Sequence, residues 1–181
     1  TIKLRVIDKN QQIMRIDHED KDLSKKVVSA FKDSGITLND YDGIIISDYN
    51  KGFLSNSDIQ YIASSHPNTI CDTKKKLGDW CLDVDFIKIN SLEHEKNFER
   101  LPEYPNLLDK LIITKGKYGC EYKSKIHPTE EVPVKDVSGA GDTFLAALVM
   151  AYLKNNDIET AITFANECAT KVVQKRGVAV I

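Results

Sequence analysis

No stretch of the 181 residues stays apolar for the roughly 18 positions that a membrane-spanning helix needs. The opening residues, Thr1-Ile2-Lys3-Leu4-Arg5, alternate like a strand and do not read as a signal peptide. Neither sign of charge dominates: 25 Lys+Arg stand against 27 Asp+Glu, a formal net charge of −2. Generic binders of nucleic acid or anionic membrane carry a net basic field, so this balance argues against both. Cysteine is sparse and scattered. Cys71, Cys81, Cys120 and Cys168 make no CxxC pair, which argues against a zinc cluster or disulfide framework and leaves buried free thiols as the expectation. The histidines are equally dispersed, and His94-Glu95 lacks the second histidine of a zinc-protease helix. Repeats, low-complexity tracts and linkers are also missing. What remains, 41% hydrophobic and 29% charged, is the composition of an ordinary globular protein, expected in the cytoplasm.

Alternation of polar and apolar residues at Lys3-Leu4-Arg5-Val6 and again from Gln12 to Asp17 predicts two short, partly exposed strands forming a hairpin or flap. Asp22 to Ser34 has helical spacing, with Gly35 as its stop signal. Gly43-Ile44-Ile45-Ile46-Ser47 is an unbroken apolar run of the kind found in strands buried on both faces. The rhythm then repeats. Helix 57–65 leads to strand 69–72, strand 85–89 to helix 91–99, and strand 111–114 follows. Such alternation implies an α/β protein with a mostly parallel sheet and helices on its faces. Between Gly116 and Val134 the pattern breaks toward a local antiparallel hairpin, with a further short strand at Glu131 to Val134. Two periodic helices separated by Asn155-Asn156-Asp157 close the chain.

Asp136-Val137-Ser138-Gly139-Ala140-Gly141-Asp142-Thr143-Phe144 carries the clearest chemistry. Its small residues fall at a helix N-terminus, where unpaired N–H groups and the dipole favour an anion. Gly139, Ala140 and Gly141 leave the backbone uncovered, so a phosphate oxygen can approach several donors. A carboxylate at Asp142 suits a base that takes a proton from an attacking hydroxyl while the nest holds the transferring phosphoryl group. A Walker-type loop needs a lysine that is absent here, and a dinucleotide fingerprint needs a glycine where Phe144 stands. The same residues also suit a plain strand-to-helix turn with Asp142 as a first-turn acid.

This segment resembles the Asp-Thr-x-Gly-Ala-Gly-Asp signature of the ribokinase-like (PfkB) family of carbohydrate kinases, with Val137 in place of the usual threonine. The resemblance implies a ribokinase-like three-layer α/β/α fold, and Asp142 as catalytic base with Gly139, Ala140 and Gly141 as the anion hole. Asp136 and Ser138 match positions that build a potassium site in members activated by a monovalent cation. Asn90-Ser91-Leu92-Glu93 is similar to the family's Asn-x-x-Glu motif, whose glutamate organises magnesium largely through water; Glu93 reads equally as a first-turn helix carboxylate. Ile113-Thr114-Lys115-Gly116 resembles the strand end beside the nucleotide, which assigns Thr114 and Gly116 to ATP. Phe164-Ala165-Asn166 resembles the helix flanking the adenine, where the Asn166 amide reaches a base edge or stays exposed on its helix. Lys175-Arg176-Gly177 resembles the loop that closes the nucleotide and cation pockets, which adds Gly177.

Within the family, Ser47-Asp48-Tyr49-Asn50-Lys51-Gly52 and the strands at 3–6 and 12–17 look like heptose-7-phosphate kinases of ADP-heptose synthesis for the lipopolysaccharide core. Asp72-Thr73-Lys74 stands where that group often carries Asp-Pro-Lys, placing Lys74 near the phosphates. A phosphorylated sugar needs cations at its far end; Lys3, Arg5, Arg15 and Lys51 are candidates, with Asp48 beside them, and each cation also reads as a surface residue. Another sugar kinase of ribokinase or fructokinase type, or a catalytically silent nucleotide-binding fragment, is the alternative. Family members begin with a long sugar-holding portion with no counterpart before Thr1. Residues 1–181 are therefore expected to be one C-terminal portion of a kinase domain, truncated at the N-terminus, with lid-like strands at 1–17. The expected partners are ATP, magnesium, potassium in some members, and a sugar phosphate, with neither nucleic acid nor membrane. Association as a homodimer or through a second domain is expected because an open sheet exposes apolar edge and face.

Overall fold

A computed structural model describes residues 2–8, 11–18, 27–177 and 179. β1 (Ile2–Asp8) and β2 (Gln11–His18) form the expected antiparallel pair, with Leu4 opposite Ile16 and Val6 opposite Met14. Those four residues share one face, and it is exposed. Of the helix expected from residue 22, the described part is α1 (Val27–Ser34); residues 19–26 lie outside the described residues.

The main sheet has six strands in sequence order: β3 (Ile44–Asp48), β4 (Thr69–Thr73), β5 (Phe86–Asn90), β6 (Leu111–Thr114), β7 (Cys120–Tyr122) and β8 (Lys125–His127). The first four are parallel, β7 runs antiparallel to β6, and β8 runs antiparallel to β7. The expected three-layer α/β/α sandwich follows from which face each residue takes. Ile46, Cys71, Ile87, Ile89 and Ile113 pack with Ile59 and Ile62 of α2 (Asn56–Ser64). Ile70 and Ile112 turn the other way, toward Leu148 of α5 (Ala140–Asn155) and Ile162 of α6 (Ile158–Val173). Each fully buried Ile or Leu contributes about 1.5–3 kcal/mol relative to exposure. α3 (Ser91–Asn97) and α4 (Pro105–Leu108) complete the helices. β3 is an edge strand and leaves Ile45 44% exposed, so the run 43–47 is not buried on both faces as its composition predicted.

Local chemistry sets the boundaries. Ser55 and Asp58 form a reciprocal capping box at α2. Asn156, left-handed at φ +51, ends α5, and the Asp157 carboxylate accepts from the N–H groups of Glu159 and Thr160 to start α6. The strand expected at Glu131 to Val134 does not form. Pro133 has no N–H for a ladder, and the segment is tied instead by Lys135 and Asp136, both donating to Val173 O at 2.8 and 3.2 Å. All four cysteines are buried free thiols, as expected, and burial pushes Cys120 up to about 12.

Candidate active site

The C-terminal ends of β3, β4 and β5 meet the N-terminus of α5. Gly139 takes φ +79 as the residue before the helix, a left-handed conformation that favours glycine. Ala140 N–H is returned to Val137 O at 3.2 Å. The next N–H groups, of Gly141 and Asp142, begin the helix and have no carbonyl one turn back to accept them. Asp142 sits in the first turn and is exposed.

Two cavities meet at this point, and Gly141 lines both. One is a mostly apolar groove of about 280 Å³ between β6 and α6, whose walls include Thr114, Gly116, Val137, Phe144 and Asn166. The other is a polar pocket of about 200 Å³ with Asp142, Lys74, Lys88, Asn90 and Glu93 in its lining. Residues far apart in sequence therefore converge as the motifs implied: Thr114, Gly116, Ala140 and Asn166 on the groove, and Lys74, Asn90, Glu93 and Asp142 on the pocket.

Several of these side chains are committed to neighbours. Glu93 is buried and forms a capping box with Asn90: Asn90 N–H donates to Glu93 Oε2 at 2.7 Å, and Glu93 N–H donates to Asn90 Oδ1 at 2.9 Å. That leaves Glu93 Oε1 without a hydrogen-bond partner among the described residues. Magnesium keeps most of its waters and leans on substrate phosphates, so this single carboxylate oxygen in a polar pocket fits it. Among the described residues no three His, Cys, Asp or Glu side chains gather as a metal cage. Asp136 accepts from Ser138 N–H at 2.8 Å and Gly177 N–H at 3.0 Å, which brings the predicted Asp136, Ser138 and Gly177 together. The Ser138 and Gly177 hydrogen bonds hold the Asp136 carboxyl below its usual range. With each Asp136 oxygen accepting a backbone N–H, the arrangement is a loop closure first and a monovalent-cation site only through remaining lone pairs.

Three of the predicted site residues have surroundings that their motifs alone do not show. Asn166 is neither an exposed helix residue nor free to read a base. It is buried, and its Nδ2 donates to His127 O at 3.0 Å, pinning the end of β8 to α6 as one wall of the groove. Asp48 lines the polar pocket with its carboxylate already engaged by neighbours. Its carboxylate accepts from Asn50 N–H at 3.0 Å and Thr73 Oγ1 at 3.1 Å and pairs with Lys75 at 3.7 Å, clamping β3 to β4. Lys51 is exposed on the loop after β3 and does not line the pocket. Arg5 and Arg15 are register partners in the β1–β2 pair, but their side chains lie outside the described residues, as does that of Lys3.

Sequence reasoning missed two residues. Tyr49 donates its hydroxyl proton to Asp142 Oδ1 at 3.2 Å, and the Lys74 ammonium lies 4.4 Å from the centre of its ring. Lys88 is buried in the pocket and bonds Asp72 at 2.7 Å. Its signal was present: a lysine in Phe86-Ile87-Lys88-Ile89, an otherwise apolar buried strand, is a charge out of place.

Comparison with known proteins agrees with the fold and the motif. Residues 57–180 match the pfkB family carbohydrate kinase model. The chain is 34% identical over 203 aligned positions to the bifunctional protein HldE of Helicobacter pylori strain Shi470, covering 98% of this chain and 43% of that protein. It thus spans less than half the length of the curated relatives it matches. In structure it is similar to a microbiome-derived acarbose kinase, Mak1, with TM-score 0.71 at 13% identity over 99% of this chain and 64% of the other. It is also similar to Arabidopsis thaliana ribokinase complexed with ribose and ATP, with TM-score 0.63 at 18% identity over 78% and 52%. With the family model matching more than half its length, the chain belongs to the pfkB family of carbohydrate kinases.

Proposed function

We propose that this chain carries the nucleotide-binding and catalytic groups of an ATP-dependent sugar kinase acting on heptose 7-phosphate to give heptose 1,7-bisphosphate. One observation carries the reading: Gly141 belongs to both the apolar groove and the polar pocket, with Asp142 the next residue. A nucleotide whose base and ribose fill the groove delivers its terminal phosphate to the helix N-terminus. There Asp142 takes the proton of the attacking hydroxyl while the phosphoryl group passes in line to that oxygen. Glu93 and Asn90 are the residues that would hold magnesium, largely through its waters, and it would supply charge neutralisation at the phosphates.

Support for the heptose acceptor is of a different kind. It rests on the resemblance of Ser47 to Gly52 and Asp72 to Lys74 to heptose-7-phosphate kinases, and on the 34% identity to HldE. A place in cytoplasmic ADP-heptose synthesis follows from that acceptor. ADP release measured with heptose 7-phosphate, ribose and fructose tests the reading. Turnover with the heptose alone is expected. Preference for ribose or fructose would transfer the chain to another branch of the family, and ATP binding without turnover on any sugar would make it a silent nucleotide-binding unit.

A further inference from the structure

Lys88 stands where ordinary stability arguments would not put it. It faces the α5 side of the sheet from the middle of a parallel strand and is only 6% exposed. A Cβ built on Gly141 would lie 3.3 Å from its Nζ, so the ammonium sits directly against the first turn of α5. That is the positive end of a 16-residue helix, where a cation is disfavoured and an anion favoured. Asp72, its register partner on β4, compensates with one hydrogen bond of 2.7 Å. An ammonium has three donors, so two remain beyond the one given to Asp72, and Lys88 borders the same pocket as Asp142 and Glu93. A buried ion pair between adjacent strands is seldom better for stability than two apolar side chains. A buried cation beside unpaired helix N–H groups does have a use: it adds fixed positive charge where an anion arrives.

We propose that Lys88 is a catalytic residue of this kinase, contacting a non-bridging oxygen of the transferring phosphoryl group; this rests on the nucleotide-binding reading above. In the transfer, the bond from the terminal phosphorus to the bridging oxygen breaks and its electron pair leaves with ADP. The acceptor oxygen bonds to phosphorus, and its proton goes to Asp142. Lys88 exchanges no proton. It neutralises charge on the group in flight and, with Gly141 N–H, fixes that group beside the base. The lack of a side chain at residue 141 lets the ammonium come this close, since a methyl group there would press on it at 3.3 Å and require it to give by a few tenths of an ångström.

The test needs no sugar. Calorimetric titration of the whole chain with magnesium and either ADP or the non-hydrolysable triphosphate AMP-PNP reads the terminal phosphate separately from the rest of the nucleotide. Lys88→Met should weaken AMP-PNP about tenfold and leave ADP within about twofold, with Lys88→Arg restoring most of the loss. Because Lys88→Met strands the Asp72 carboxylate, the Lys88→Met/Asp72→Asn double variant repeats the measurement with a neutral pair. An unchanged ratio of AMP-PNP to ADP affinity in all three variants, or equal weakening of both ligands, overturns the proposal while leaving the nucleotide site standing. Wild-type protein that binds neither ligand overturns the nucleotide-binding reading and the Lys88 role together.

Discussion

The Tyr49 hydroxyl and Asp142 Oδ1 are 3.2 Å apart, a hydrogen bond joining the end of β3 to the first turn of α5 across 93 residues of sequence. It orients one carboxylate oxygen and, in the proposed reaction, leaves the other to the acceptor hydroxyl. Tyr49 is itself placed by its neighbours: Asp48 clamps the strand end, and Lys74, whose N–H donates to Asp48 O at 3.1 Å, lies over the Tyr49 ring. Asp48 thereby serves the site indirectly, through the backbone that carries Tyr49 and Lys74.

Asp142→Asn removes the proposed base and keeps the shape. Turnover should fall by about 10²–10⁴-fold with nucleotide affinity retained. Tyr49→Phe, which removes the orienting bond and keeps the ring, should lower kcat by less, about tenfold, at unchanged KM for ATP. Steady-state kinetics with an ADP-release readout check both.

Gly119→Ala should destabilise the fold by at least about 2 kcal/mol. Gly119 has φ +84, and a Cβ there would lie 2.1 Å from His127 O, a backbone atom that cannot step aside. Chemical denaturation measures the loss. Gly119 also lines the groove, so nucleotide binding by the surviving folded fraction should weaken as well.

Asn166→Leu leaves His127 O without its side-chain donor and should cost about 1–3 kcal/mol. Nucleotide affinity should fall with it, because the wall between β8 and α6 is released. A variant that kept full stability and lost only base discrimination would restore the base-reading role that its buried hydrogen bonds argue against.

Stability should decline as pH drops below 6.5. Burial holds the His127 imidazole below its ordinary value of 6.5, and its Nε2 has no hydrogen-bond partner among the described residues. The unfolded chain therefore binds a proton that the folded chain refuses, so folding loses stability from pH 6.5 downward until the folded-state value is reached. His127→Gln should flatten that part of the profile, as thermal melts between pH 5 and pH 8 would reveal. Asp136 acts at lower pH. Its depressed carboxyl keeps the loop closure at neutral pH and surrenders it only as acidity passes below the ordinary carboxylate range.

Much of the fold was legible because its signals are local. Strand 111–114 coincides with β6, the Asp157 cap starts α6 where its chemistry requires, and the apolar run 44–46 does form β3, although as an edge strand with Ile45 exposed and not as one buried on both faces. The segment 131–134 misled because apolar residues alternate there while Pro133 removes a ladder donor. The motif residues around Gly141 were legible for the same reason as the helices: a nest at a helix start is a short-range pattern. Asp48 and Asn166 were not, since their roles depend on partners 25 and 39 residues away. The Tyr49–Asp142 bond was hidden for that reason too.

The most direct measurement of the central claim is a crystal structure of this chain with AMP-PNP and magnesium. The account predicts the base and ribose in the groove between β6 and α6, and the terminal phosphate at the N–H groups of Gly141 and Asp142, next to the Asp142 carboxylate. A triphosphate running away from the start of α5, or a nucleotide bound elsewhere with this groove left vacant, would contradict it.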